Sequence, residues 1–153
     1  MAIQIKDALA GDRAEWLRMR NALWPGSLAD HDLETQRYFA CDTRPPLTFI
    51  AELDGRAVGF LELELRSCAP GCVSSPVPFI EGWYVDPAHQ RGGIGRALVA
   101  AAEAWALAHG FDEIASDTEL ENVTGLAAHL ALGFEETDRV ISFRRSLGPV
   151  SRR

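Results

Sequence analysis

Lysine is almost missing from this chain: of its 15 basic residues only Lys6 is a lysine, against 22 acidic residues, and the formal charge is −7. So acidic a surface repels a phosphate backbone unless a local basic patch intervenes, and nucleic acid is not an expected partner. Long apolar runs are also missing. No window reaches the roughly 20 consecutive apolar residues of a membrane span, which excludes a transmembrane protein and leaves no membrane partner expected. Cysteine is scarce: Cys41, Cys68 and Cys72 are odd in number, and Cys68 and Cys72 have neither a second pair nor histidines at zinc-finger spacing. Reduced thiols and no metal are expected. The segment Met1 to Asp7 carries charges at Lys6 and Asp7 with no apolar run behind them, unlike a signal peptide, so the chain is expected to begin here as the mature protein and to be cytoplasmic.

What is present is an ordinary globular composition, 47% hydrophobic and 24% charged over 153 residues. That length predicts one domain spanning 1–153, and no repeat or linker divides it. Ile3 and Ile5 alternate with polar residues as in a short strand, and Asp12 precedes a helix carrying Trp16, Leu17, Leu23 and Trp24. Pro25-Gly26 ends it, and Asp30 to Phe39 reads as a second helix. Asp54-Gly55 between Leu47–Leu53 and Ala57–Leu65 predicts a hairpin, with Leu61, Leu63 and Leu65 on a buried face and Glu62 and Glu64 on a wet one. Val77 to Val85 is an apolar, aromatic strand that stops at Asp86-Pro87. Gly95 to His109 is a core-facing helix, Phe111 to Ser116 a fifth strand, Val123 to Leu132 a helix, and Glu135 to Phe143 a last strand before a polar tail.

The segment Val85-Asp86-Pro87-Ala88-His89-Gln90-Arg91-Gly92-Gly93-Ile94-Gly95-Arg96-Ala97-Leu98 joins the aromatic strand to the Ala-rich helix. Glycines without Cβ let backbone approach a ligand, and free N–H groups at a helix start favour a pyrophosphate. Arg91 and Arg96 add charge there. The alternative is an ordinary strand-turn-helix connection whose glycines only ease packing. A Rossmann site fits poorly, since two hairpin-like strands precede the motif. In this context the segment resembles the signature of the GNAT superfamily of acetyl-CoA-dependent N-acyltransferases, and Ala131-Leu132-Gly133-Phe134-Glu135 resembles its closing helix-to-strand turn. The resemblance covers residues 3 to 145. It implies an α/β (α+β) GNAT fold, with a mixed central sheet of six to seven strands splayed in the middle and about four helices. It also implies acetyl-CoA as co-substrate, with Arg91, Gly92, Gly93, Ile94, Gly95 and Arg96 at the pyrophosphate and Trp83, Tyr84 and Val85 along the pantetheine arm.

An amine acceptor is mostly protonated at pH 7, so it must lose a proton before attacking a thioester, and the leaving thiolate must gain one. Glu81 and Asp117, at the ends of neighbouring strands, are the candidate carboxylates. The facing of Glu81 and Tyr84 relative to Trp83 stays open, because a β-bulge would shift the alternation. Between Phe111 and Asp138 lie eight acidic residues and no lysine or arginine. A solvated acidic face would explain Asp112, Glu113 and Glu135; acid at two strand ends also fits a steered polycation.

Leu23-Trp24, Phe79-Ile80-Glu81-Gly82-Trp83-Tyr84-Val85, Ala115-Ser116-Asp117-Thr118, Asn122, His129 and Ala131 to Thr137 look like the aminoglycoside 6′-N-acetyltransferases (type 1), resistance enzymes that are commonly homodimers. That resemblance implies an aminoglycoside held by Trp24, Glu81, Asp117 and Asp138, acetyl-CoA contacted by Asn122, and Glu81 or Asp117 assisting deprotonation. His129 stands where many GNAT enzymes have a tyrosine that protonates the thiolate, although a lone histidine is more often structural. Trp24 is either a core aromatic or a stacking ring at the rim. The loop Ser67 to Ser75 has no counterpart of a substrate-contacting tyrosine found in some relatives, and Asp138 is one methylene shorter than their glutamate. Competing readings are transfer to another cationic amine, such as a polyamine, a metabolite or a protein N-terminus, and a non-catalytic acetyl-CoA-binding module.

Overall fold

The computed structural model describes residues 2–149. Met1, where the chain was expected to begin, and the end of the polar tail lie outside them. The chain divides into two compact units, Met1–Asp117 and Thr118–Arg153.

The first unit is a five-stranded sheet in sequence order: β1 (Ile3–Asp7), β2 (Leu47–Leu53), β3 (Arg56–Arg66), β4 (Val77–Val85) and β5 (Ala115–Ser116). Neighbours are antiparallel up to β4, and β4 pairs with β5 in parallel. The β2–β3 hairpin turns where expected. Asp54 and Gly55 both take left-handed backbone, at φ 51° and 78°, which a tight turn between twisted strands requires.

Three helices cover the two faces: α1 (Arg13–Leu23) and α2 (Leu28–Ala40) on one, α3 (Ile94–Ala108) on the other. Consecutive residues of β3 show the division. A Cβ built on Gly59 would meet Leu98 and Ile94 of α3, whereas Phe60 packs with Trp16, Met19, Tyr38 and Ile50 beneath α1 and α2. Leu98, Val99, Ala102 and Ala106 form the buried stripe of α3, as its helical spacing predicts. Asp12, just before α1, accepts a hydrogen bond from the Leu9 backbone N–H (2.8 Å) and a salt bridge from Lys6 (3.0 Å).

The fifth strand is shorter than the expected Phe111 to Ser116. Glu113 instead anchors the Ser67 to Pro76 loop, its carboxylate accepting from the Val73 N–H (3.0 Å), the Ser74 N–H (2.7 Å) and the Ser74 hydroxyl (2.5 Å). This explains an acid that sequence alone assigned to a solvated face.

In the second unit, α4 (Val123–Ala131) is followed by irregular chain. The expected last strand, Glu135 to Phe143, is therefore corrected: no strand follows α4 among the described residues, and the sheet has five strands rather than six or seven. Apolar alternation supplies side chains, but a strand also needs a partner for its N–H and C=O groups. Here Arg139 pairs with Glu136, the Asp138 carboxylate takes the Arg139 N–H (2.9 Å), and Val140, Ile141 and Phe143 are 74, 81 and 91% exposed. No helix of the described residues is long and apolar enough to cross a membrane.

Candidate active site

The sheet opens at its fourth strand. Pairing between β4 and β5 consists of Phe79 with Ala115 and Ile80 with Ser116, and it stops there. The next residues on the two strands are Glu81 and Asp117, so both carboxylates stand at the point of separation. Beyond Ile80, β4 pairs with β3, and among the described residues no other strand of the sheet runs beside Trp83, Tyr84 and Val85. A strand edge of this kind presents N–H and C=O groups along which an extended ligand can lie.

A bulge settles the facing of Glu81. Glu62 pairs with Gly82 and Leu63 with Ile80, so Glu81 is an additional residue on β4. A Cβ built on Gly82 would meet Trp24 and Phe60, which places Gly82 on the α1/α2 face. Alternation alone would turn Glu81 to the α3 face. The bulge turns it beside Gly82, where Glu81 lines one cleft with Trp24. Trp83 faces the other way, its indole N–H donating to the Gly95 carbonyl (3.2 Å), while the Tyr84 hydroxyl donates to Asp86 (3.0 Å).

That cleft, of about 400 Å³, is lined by Arg20, Trp24, Ser27, Asp30, His31, Glu34, Glu62, Glu64 and Glu81. Five carboxylates thus face one guanidinium. Asp30 and Glu34 come from successive turns of α2, and Glu62 and Glu64 from one face of β3. Sequence reasoning missed all four. Their signal was present, as i,i+4 spacing on a helix and i,i+2 spacing on a strand, but nothing local says that these two faces meet. Arg20 bridges the group, paired with Glu34 and with Glu62 (3.1 Å). Burial pushes the Glu62 carboxyl up to about 7, against the pull of Arg20 and of the Trp16 indole N–H (3.0 Å). Asp30 and Glu64 have no salt-bridge partner among the described residues.

Trp24 is both core-packed and rim-exposed. Its ring lies over Gly82, against Phe60 at a centroid distance of 6.3 Å, stacked with His31 at 6.0 Å, and under the Arg20 guanidinium at 5.2 Å. His31 donates from Nε2 to the Trp24 carbonyl (2.8 Å), which fixes the helix end that carries the ring.

The glycine-rich connection leads into α3. Arg91 and Gly93 are left-handed, at φ 63° and 89°, and the Gln90 side-chain amide donates to the Val85 carbonyl (3.2 Å). The first N–H groups of α3, at Ile94, Gly95 and Arg96, have no carbonyl four residues back within the helix. Arg91 and Arg96 are exposed and form no ion pair among the described residues. Gly92 and Gly93 have no backbone or side chain crowding their missing Cβ, whereas a Cβ on Gly95 would lie 3.1 Å from the Trp83 ring. Gly95 therefore serves packing, as the alternative reading of the motif held, and the other two leave the loop open.

The second unit carries the remaining candidates. Asn122 caps α4, its side-chain oxygen accepting from the Gly125 N–H (2.8 Å). His129 donates from Nδ1 to the Gly125 carbonyl (2.6 Å) and sits edge-on to Phe134, so its Nε2 carries a proton only when the ring is charged. Asp138 is exposed. Cys41, Cys68 and Cys72 are all free thiols.

A splayed strand pair, an open strand edge and a glycine loop feeding a helix start are the parts of an acyl-coenzyme A transferase, and the chain belongs to the acetyltransferase (GNAT) family, which it matches over residues 14–134. Among curated relatives it is 45% identical over 146 residues to the aminoglycoside N(6′)-acetyltransferase type 1 of Stenotrophomonas maltophilia, covering 95% of this chain and 94% of that one. To the same-named enzyme of Klebsiella aerogenes it is 47% identical over 139 residues, covering 89% and 91%. Among solved structures, AAC(6′)-Iy in complex with the bisubstrate analogue CoA-S-monomethyl-acetylneamine superimposes with a TM-score of 0.87 at 37% identity, covering 95% of this chain and 99% of that one. AAC(6′)-IG from Acinetobacter haemolyticus gives 0.86 at 38% identity, covering 95% and 99%.

Proposed function

We propose that this chain transfers the acetyl group of acetyl-CoA to the 6′-amine of aminoglycosides and so confers resistance to them. The observation that carries the reading is the acid-walled cleft that meets the opening of the sheet at Glu81, beside the strand and loop suited to the coenzyme. The cleft's carboxylates outnumber the guanidinia paired with them, and Asp30 and Glu64 have no salt-bridge partner among the described residues, so a polycation enters this field more favourably than a neutral or anionic amine does. The relatives named above support the same acceptor class.

Bound acetyl-CoA supplies an activated acetyl thioester. Its pyrophosphate suits Arg91, Gly92, Gly93, Ile94, Gly95 and Arg96, where the N–H groups of a helix start follow a glycine-rich loop flanked by two exposed arginines, and its arm suits the strand edge at Trp83, Tyr84 and Val85. Asn122, with its side-chain oxygen already used as a cap, has its amide N–H groups for the coenzyme. Trp24 stacks on a sugar ring, and Glu81, Asp117 and Asp138 hold ammonium groups. Glu81 or Asp117 draws a proton from the reacting ammonium through water, and His129 as an imidazolium returns one to sulfur. The reading takes residues 1–153 as one catalytic domain, and the family match over residues 14–134, which includes part of each unit, supports it. The exposed Val140, Ile141 and Phe143 support a homodimer, and free thiols support a cytoplasmic location.

The test is an acceptor panel with acetyl-CoA: kanamycin, tobramycin, a polyamine, a neutral primary amine and a peptide N-terminus. Turnover confined to aminoglycosides, with the product acetylated at the 6′-nitrogen by NMR, is expected. Asp117→Asn should lower kcat/KM for the polycations about tenfold or more and leave a neutral amine nearly unchanged. No thiol release with any aminoglycoside at saturation would overturn the reading.

A further inference from the structure

The carboxylate at the opening of the sheet is already in contact with a cation. Arg66, the last residue of β3, donates from Nε and from a terminal nitrogen to the two oxygens of Glu81, both at 2.7 Å, in a bidentate fork. Its guanidinium lies over the Phe79 ring with the central carbon 3.5 Å from the centroid. The guanidinium is a permanent cation, and the Glu81 hydrogen bonds first, then the charges of Glu81, Asp117 and Glu64, favour it further. No other arginine or lysine pairs with Glu81 among the described residues.

The fork has a geometric reason. Glu81 is the additional residue of a bulge, and a bulged residue lacks the regular cross-strand neighbours that restrain a side chain in a flat ladder. Something else must fix its direction. The planar guanidinium, pressed flat on Phe79, fixes both oxygens at once, which an ammonium point charge would not do. The fork uses one lone pair on each carboxylate oxygen and leaves the others for a further donor. Arg66 therefore does not exclude an acceptor ammonium or a bridging water; it determines where on Glu81 that donor sits.

We infer that Arg66 is a positioning residue for the transfer reaction, acting through Glu81: the chain Phe79, Arg66, Glu81 orients the carboxylate that meets the acceptor amine. This rests on the acetyl-transfer reading above. It goes beyond it by giving a working role to a residue that charge alone would mark as unfavourable in a site for polycations.

A double-mutant cycle on the full chain tests it. Arg66→Ala should lower kcat/KM for the acceptor about tenfold, mostly in kcat, with the KM for acetyl-CoA unchanged, because misplacing a reacting group by an ångström or less is enough for such a loss. Arg66→Lys, which keeps the charge and the stem over Phe79 but not the fork, should recover little of it. In a Glu81→Gln background Arg66→Ala should cost less than about twofold more, since the two residues act as one unit. Full rescue by Arg66→Lys, additive losses in the cycle, or a lower acceptor KM in Arg66→Ala would each overturn the inference. Where circular dichroism finds Arg66→Ala unfolded, Arg66→Lys and Arg66→Gln carry the same cycle. An inactive wild type overturns the acetyl-transfer reading and this one with it; an active wild type with an unaffected Arg66→Ala overturns this one alone.

Discussion

Glu62 shows how far a side chain's behaviour depends on what is folded over it. On β3 it alternates with leucines, yet its side chain is only 14% exposed, under Trp16 and beside Arg20. Burial raises its carboxyl from an ordinary 4.5 to about 7. A raised carboxyl favours the fold while it keeps its proton, so this contribution is complete below pH 4.5 and is lost as pH climbs through 7. The full shift corresponds to about 3 kcal/mol, and the Arg20 pair makes that an upper figure. Urea denaturation of wild type and Glu62→Gln across this range should show the wild type losing about 1 to 3 kcal/mol relative to the variant as pH rises. A pH-independent difference would refute the buried, protonated state.

Among elements, the contact between β4 and its neighbours decides the site. Two glycines make it, in different ways. A Cβ on Gly59 would lie 2.7 Å from the Tyr84 carbonyl oxygen, a backbone atom in the paired strand that cannot turn aside. On Gly82 it would lie 2.6 Å from the tip of the Trp24 ring, which can. Gly59→Ala should therefore destabilise the fold by about 2 to 4 kcal/mol. Gly82→Ala should destabilise it less, by about 1 kcal/mol, but raise the acceptor KM several-fold by displacing Trp24. Chemical denaturation with steady-state kinetics on both variants separates the two effects; equal stability losses with an unchanged KM would remove Trp24 from the acceptor site. Much at this scale was legible in the chain itself. The hairpin at Asp54-Gly55, the inner stripe of α3 and the stop at Asp86-Pro87 all follow from local rules. The bulge at Glu81 does not, because a bulge is a property of two strands in register and not of either one.

For the molecule as a whole, Val140, Ile141 and Phe143 place three exposed large hydrophobics within four residues of one another. Apolar groups of that size gain about 1.5 to 3 kcal/mol each when removed from water, which favours association. Light scattering after size exclusion should give a mass near twice 16.8 kDa, and replacing the three with Ser should return it to the single-chain value. A wild type that runs as a single chain would remove the homodimer.

By itself the sequence determined the hairpin and the helices through local periods and turn chemistry, and it pointed to the fold class and the family through motifs whose residues are contiguous and whose resemblance is therefore visible in the chain. It also marked Glu81, Asp117 and Trp24. What only the tertiary structure decided is which charges share a space. The acids that sequence counting gathered between Phe111 and Asp138 divide among a loop anchor at Glu113, an arginine partner at Glu136 and the strand end at Asp117, while the acid-walled cleft draws on α2, β3 and β4. The physical reason is that a carboxylate's partners are set by distance through space and by the water excluded around it. Residues 30, 34, 62, 64, 66 and 81 come within reach of one another only when the helices close over the sheet.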